Sequence, residues 1–181
     1  MSFADKLSIL RIILIPLFIA LVIYSKYSPG CKYAGVFVFL VAVLSDFFDG
    51  LIARIKKEKS KIGQVIDPLA DKLLLLTAFI SLYLLKFNIP LWVVLIVVSR
   101  DLIILLGVAI IHFLKIEIPI SPSIWGKLTT FFQMLTIFSV LLDFLFPQFL
   151  LQLIWSLAVV FTLISGIGYI KRGIIALNLA Q

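Results

Sequence analysis

Along the 181-residue chain, apolar positions gather into six long runs separated by short polar breaks: 8 to 25, 33 to 54, 68 to 86, 90 to 114, 125 to 146 and 149 to 170. Each approaches the roughly 20 residues that an α-helix needs to cross a hydrocarbon core about 30 Å thick. Runs of this length are too long for strands, and too apolar all round for the one-sided helices of a soluble domain. The pattern predicts an all-α integral membrane protein with six transmembrane helices and a short interfacial segment ahead of the first. Residues 1 to 181 are read as a single transmembrane domain, since the spans use up nearly the whole chain.

Composition strengthens this reading. The chain is 63% hydrophobic and 14% charged, with a mean hydropathy of +1.23, where a soluble domain carries about 25% charged residues. The opening MSFADKLSILRIILIPLFIALVIY has neither a basic leader nor a small-residue cleavage site, so it is read as a retained first helix. Cys31 stands alone and excludes an intrachain disulfide, and the single His112 has no soft partners for a zinc site.

A net charge of +7 raises the question of nucleic acid, but the basic residues fall between the spans rather than along one exposed face, and no nucleic-acid partner is expected. Arg54, Lys56, Lys57, Lys59 and Lys61 crowd the break between the second and third runs, and Lys115, Lys127, Lys171 and Arg172 fall on the same side; Lys26, Lys32 and Lys86 occupy the alternate breaks. The positive-inside rule then places both termini in the cytoplasm. Trp92 and Trp125 fit membrane interfaces, whereas Trp155 lies too far into the sixth run to mark one.

Against this apolar background stands SDFFDGLIARIKKEKSKIGQVIDPLADK, residues 45 to 72. Asp46 and Asp49 are three apart and Asp67 and Asp71 four apart, so each pair projects from one face of its helix, and two such pairs can converge across a helical hairpin. At a helix centre each aspartate costs about 2.5–3.5 kcal/mol to insert, so four cost roughly 10–14 kcal/mol in the extreme, comparable to the stability of a whole domain. Structural ion pairs with Arg54, Lys72 and the loop lysines are one compensation, and Asp67 also reads as an N-cap ahead of Pro68. Bound divalent metal is another. An all-carboxylate set suits a hard cation, Mg²⁺, Mn²⁺ or Ca²⁺, and four aspartates suffice for two ions of the kind that serve phosphoryl transfer. Gly50 and Ala53 leave that helix face free of bulk, either for close approach of a diphosphate or for helix packing. Arg54 offers a planar fork to phosphate oxygens, or snorkels to headgroups.

The string Asp46-x-x-Asp49-Gly50-x-x-Ala53-Arg54, eight residues, then Gly63-x-x-x-Asp67-x-x-x-Asp71 resembles the signature of the CDP-alcohol phosphatidyltransferases. The resemblance implies that Asp46, Asp49 and Asp67 hold one or two divalent ions, Mg²⁺ or Mn²⁺, against the diphosphate of a CDP-linked lipid. Asp71 is then both a ligand and the general base for an acceptor hydroxyl. It further implies that Asp46, Gly50, Ala53, Arg54 and Gly63 bind the CDP-lipid, that attack on the lipid-side phosphorus releases CMP, and that the enzyme is a homodimer. The expected setting is the bacterial inner membrane, among membrane lipids, with the active site facing the cytoplasm.

Further segments resemble the branch of that family that uses glycerol 3-phosphate as acceptor. Asp5 to Arg11, followed by Pro16, is similar to an Asn-x-Leu-Thr-x-x-Arg opening, with Asp5 and Ser8 replacing Asn and Thr. Ser99-Arg100-Asp101 and Gly126-Lys127-Leu128-Thr129-Thr130 with Gln133 are similar to that branch too. The expected substrates are CDP-diacylglycerol and glycerol 3-phosphate. The expected acceptor-phosphate site is Arg100, Lys127, Thr130 and Gln133, against the reading that Arg100 pairs with an aspartate of the cluster and Lys127 lies at the lipid surface. Counting from Pro90 puts Arg100 about 15 Å along its helix, close to mid-membrane. Adjacent residues diverge on a helix, so Asp101 is not expected to be its principal partner. Phosphatidylglycerol or an inositol phosphate remain alternative acceptors.

A cation or proton transporter is the rival of a different class. It calls for acidic residues strung along a path through several spans, whereas here only Asp101 and Asp143 lie in spans outside the cluster.

Overall fold

The computed structural model describes the backbone of residues 3–56, 63–113 and 124–179 and the side chains of residues 9–45, 69–107 and 124–171. Among these residues the fold is wholly helical: α1 Phe3–Tyr24, α2 Pro29–Lys56, α3 Gly63–Leu84, α4 Leu91–Phe113, α5 Ile124–Leu141, a 3-10 turn Asp143–Leu145, and α6 Gln148–Leu179. All six apolar runs are therefore helices. The lysines at 57, 59, 61 and 115 lie outside the described residues.

Local chemistry sets the boundaries. Proline lacks an N–H and is pre-set for the first helical position; Pro29 opens α2, while Pro90 and Pro147 immediately precede α4 and α6. The carbonyl of Pro147 accepts from Leu150 N–H at 2.9 Å, and that of Pro90 from Val93 N–H at 3.1 Å. At the end of α3, Lys86 takes a left-handed backbone, φ 61°. Lys86 N–H then donates to Tyr83 O and Phe87 N–H to Leu82 O, the doubled bond pattern that satisfies the last carbonyls of a helix.

Several boundaries differ from the sequence reading, the largest at the end of α6, which runs to Leu179 where the sixth run was read to 170. α1 starts at Phe3, so the segment expected to lie at the interface continues the first helix without a break. α3 starts at Gly63, four residues before Asp67, which removes the N-cap reading of Asp67 and places Pro68 within the helix. The fifth run, read to 146, ends as α-helix at Leu141 and continues as the 3-10 turn.

The helices form two compact units, Met1–Asn88 and Ile89–Gln181. In the first, α1 packs on both α2 and α3; in the second, α6 packs on both α4 and α5. Each unit has an apolar core, with Phe18, Val22, Phe39, Leu74, Leu75 and Phe79 buried in one and Val93, Val97, Ile137, Leu141 and Leu151 in the other. Outward faces are apolar as well: Ile13, Phe37, Leu95, Leu106, Phe131, Phe149 and Ile167 are all more than half exposed. Soluble monomers rarely carry apolar surface on this scale, and the pattern is that of a membrane protein. By length and composition, Ile124–Leu141 and Gln148–Lys171 suffice to cross a bilayer, while Ile9–Tyr24 and Pro29–Ser45 are shorter apolar helices.

Candidate active site

Contacts between small and aromatic side chains fix how the helices of the first unit align. A β-carbon on Gly35 would stand 3.5 Å from Val22 Cγ2, and the rings of Phe18 and Phe39 lie 5.7 Å apart. The two pairs describe one antiparallel register of α1 on α2. Lys32 Nζ sits 5.7 Å from the centroid of the Phe87 ring, so the end of α3 lies beside the start of α2 and these helices also run antiparallel. Extended at 1.5 Å per residue, Asp46 stands about 21 Å along α2 from Lys32, and Asp71 about 24 Å back from Phe87. For Asp49 and Asp67 the figures are about 25 and 30 Å. The acidic positions of α2 and α3 thus fall within about two helical turns of one another, with Asp46, Asp49 and Asp71 the nearest in level.

The side chains of Asp46, Asp49, Gly50, Ala53, Arg54, Gly63 and Asp67 lie outside the described residues; their positions on α2 and α3 are given by the backbone. Asp71 is half-buried. Among the described residues no three His, Cys, Asp or Glu side chains gather. The chemistry of the positions fits a hard divalent cation: α2 and α3 carry two aspartates each, and carboxylates are the donor set such cations take.

In the second unit the register follows from contacts to α6. Trp92 meets Trp155 edge-on at 5.3 Å, Arg100 Nη2 donates to Ser165 Oγ at 2.5 Å, and a β-carbon on Gly107 would touch Tyr169, so α4 runs parallel to α6. α5 and α6 pack on each other and are joined by only six residues, so they run antiparallel; Thr129 Oγ1, which donates to Trp125 O at 2.8 Å, also donates to Phe161 O at 2.9 Å, and Phe132 stacks on Phe161 at 4.9 Å. Measured against α6, Arg100 stands at position 165 and Lys127 near 163, within one turn of each other. Thr130 and Gln133 fall near 160 and 157, so Gln133 is displaced from Arg100 by about 12 Å along the axis. Arg100 is the tenth of the 23 residues of α4, near the middle of the helix as the count from Pro90 has it, and is level with the first turn of α5.

The pairing of Arg100 also departs from the sequence reading. Its Nη1 donates to Asp101 Oδ1 at 2.5 Å, both residues being buried. The expectation that neighbours on a helix diverge holds for their β-carbons; arginine's long stem lets the guanidinium fold back along the helix, and in an apolar setting the nearest carboxylate is the strongest acceptor. Ser165 was not anticipated as its other partner. The serine-glycine pair Ser165-Gly166 is the trace in the sequence, since glycine admits the stem: a β-carbon there would lie 3.4 Å from Arg100 Cγ. A cavity of about 350 Å³ between α4 and α6 is lined by Leu95, Ser99, Arg100, Thr162, Gly166 and Tyr169 among others. Of the other expected acceptor residues, Lys127 is exposed, Thr130 donates to its own helix at Gly126 O, and Gln133 is wholly buried with both amide atoms unpaired among the described residues.

Comparison with known proteins decides the family. A model of the CDP-alcohol phosphatidyltransferases matches residues 1–164, from the first unit well into the second. The chain belongs to that family. Relatives over nearly the full length include a probable phosphatidylglycerophosphate synthase of Mycobacterium tuberculosis H37Rv, 30% identical over 96% of this chain and 82% of the relative. The CDP-diacylglycerol–glycerol-3-phosphate 3-phosphatidyltransferase of Bacillus subtilis is 30% identical over 93% of each chain. Its namesake in Rickettsia typhi is 32% identical over 92% of this chain and 94% of the relative. The aspartate string, residues 46 to 71, lies inside the matched range.

Proposed function

We infer that this membrane protein transfers the phosphatidyl group of CDP-diacylglycerol to glycerol 3-phosphate, forming phosphatidylglycerophosphate and CMP. The observation that carries the reading is the near full-length likeness to relatives named for this reaction, in a chain that keeps all four signature aspartates. In the bilayer the six helices span, with both termini and the signature hairpin at the cytoplasmic face of the inner membrane, and the working unit is a homodimer in which residues 1 to 181 act as one domain.

Asp46, Asp49, Asp67 and Asp71 would hold Mg²⁺ or Mn²⁺, as two ions. Bound there, the ions neutralise diphosphate oxygens and improve CMP as a leaving group. The protein's own groups do the rest. Gly50, Ala53 and Gly63 admit the nucleotide, and Arg54 offers paired N–H donors to its phosphates. Asp71 takes the proton of the acceptor hydroxyl as that oxygen bonds to the lipid-side phosphorus, and the broken P–O bond leaves its electron pair on CMP. Arg100 and Lys127, within one turn along α6, supply positive charge for the acceptor's phosphate, and Thr130 adds a hydrogen bond beside them; Gln133, about 12 Å from Arg100 along the axis, stands apart from that phosphate, and its unpaired amide has a donor and an acceptor for another part of the acceptor.

Purified protein assayed with CDP-diacylglycerol and a panel of labelled acceptors tests this directly. Glycerol 3-phosphate is expected to be the acceptor that yields CMP and labelled lipid; turnover confined to phosphatidylglycerol or an inositol phosphate reassigns the acceptor, and no CMP with any of them removes the transferase reading.

A further inference from the structure

Arg11 is wholly buried. It occupies the inward stripe of α1, with Ile15, Phe18 and Val22 following at steps of four, three and four, and all three of those are buried apolar residues. The stripe calls for an aliphatic side chain at position 11, and a guanidinium there loses its hydration unless an anion stands near it. The register of the unit says which anions share its level. Phe18 touches Phe39; two turns back along α1 from Phe18 is Arg11, and two turns on along α2 from Phe39 is Asp46. Counting from the Gly35–Val22 contact gives the same match, eleven residues on each helix. Asp49 and Asp71 lie within about one turn of that level. A permanent positive charge is thus built into the core of α1 at the height where α2 and α3 carry their carboxylates.

We propose that Arg11 is a positioning residue for the aspartate site: its guanidinium balances part of the carboxylate charge before metal binds, and so holds α2 and α3 together on α1 in the empty state. The proposal rests on the metal reading given above. Two carboxylate pairs brought to one level repel each other in an apolar bundle, and two divalent ions remove that repulsion only when present. An arginine, charged at every physiological pH, does part of that work continuously. It also weakens metal binding, since a fixed cation repels an arriving one; the site then exchanges its ions rather than trapping them.

Thermal unfolding in detergent, with EDTA or with millimolar Mg²⁺, reads this without reference to catalysis. Arg11→Gln is expected to lower the midpoint strongly in EDTA and much less in Mg²⁺. The Mg²⁺ concentration for half-maximal stabilisation should fall on the order of tenfold, while Arg11→Lys should keep the wild-type response. Adding Asp46→Asn to Arg11→Gln should recover much of the EDTA loss, which also covers the case in which the single variant does not fold. An equal loss in EDTA and Mg²⁺ with no rescue by Asp46→Asn makes Arg11 a packing residue and overturns the proposal. So does a raised KM for CDP-diacylglycerol with unchanged metal response, which makes it a substrate contact. If the wild-type protein gains no stability from Mg²⁺, the metal reading fails on its own, and rescue in EDTA still decides the role of Arg11.

Discussion

The two units treat a buried arginine in different ways. In the second, Arg100 is met by the adjacent Asp101 and by Ser165 one helix away, so its charge is answered locally and by neutral polar contact. In the first, Arg11 stands in an otherwise apolar stripe, level with acidic positions on a neighbouring helix. The difference separates two uses of buried charge. A cation paired with its own neighbour keeps its place whether or not a ligand arrives; one that, in the role proposed for Arg11, shares its anions with metal ions would be tied to the state of the site. If Arg100 serves the acceptor's phosphate as proposed, it would offer a directed but partly neutralised donor, and specificity at that end would rest on geometry more than on net charge.

Four experiments press on this contrast. Asp71→Asn removes the base and a ligand together and should reduce CMP release by roughly a thousandfold or more while the protein remains folded; activity within tenfold of wild type would detach the signature from the chemistry. Next in size, Asp101→Asn leaves the buried guanidinium of Arg100 short of its carboxylate and should cost about 3 kcal/mol, seen as a lower unfolding midpoint. The companion Arg100→Ala should raise the KM for glycerol 3-phosphate about tenfold, the worth of a lost charged hydrogen bond, and an unchanged KM takes Arg100 out of the acceptor site. Smallest is Lys86→Gly, which relieves a side chain held at φ 61° and should add about 1 kcal/mol to stability with no change in turnover, tested by the same unfolding measurement.

What was legible in the sequence was whatever depends on one helix at a time. The six apolar runs mark six helices because hydropathy is read one segment at a time, and the paired aspartates announce themselves by spacing alone. The family signature, being a linear string, was readable too. Relations between helices were not. That Arg11 stands level with Asp46 follows from Gly35 seating against Val22 and Phe18 against Phe39, a choice among several registers that the apolar pattern leaves equivalent. That Arg100 turns to Asp101 depends on the reach of a flexible stem and on the small residue at 166, neither of which enters an argument about helical faces. The N-cap assigned to Asp67 failed for a related reason: Pro68 is a good first helical residue, but the backbone enters α3 at Gly63.

Beyond Arg11 and Asp46, the first unit closes over a plug of Phe18, Val22, Phe39, Leu75, Phe79 and Leu82, none more than 1% exposed. Under the proposed metal reading, cations drawn to the carboxylates would meet a dry hydrocarbon stopper behind them. The insulation against leakage across a membrane would then be supplied by the same Phe18–Phe39 contact that sets the helices in register.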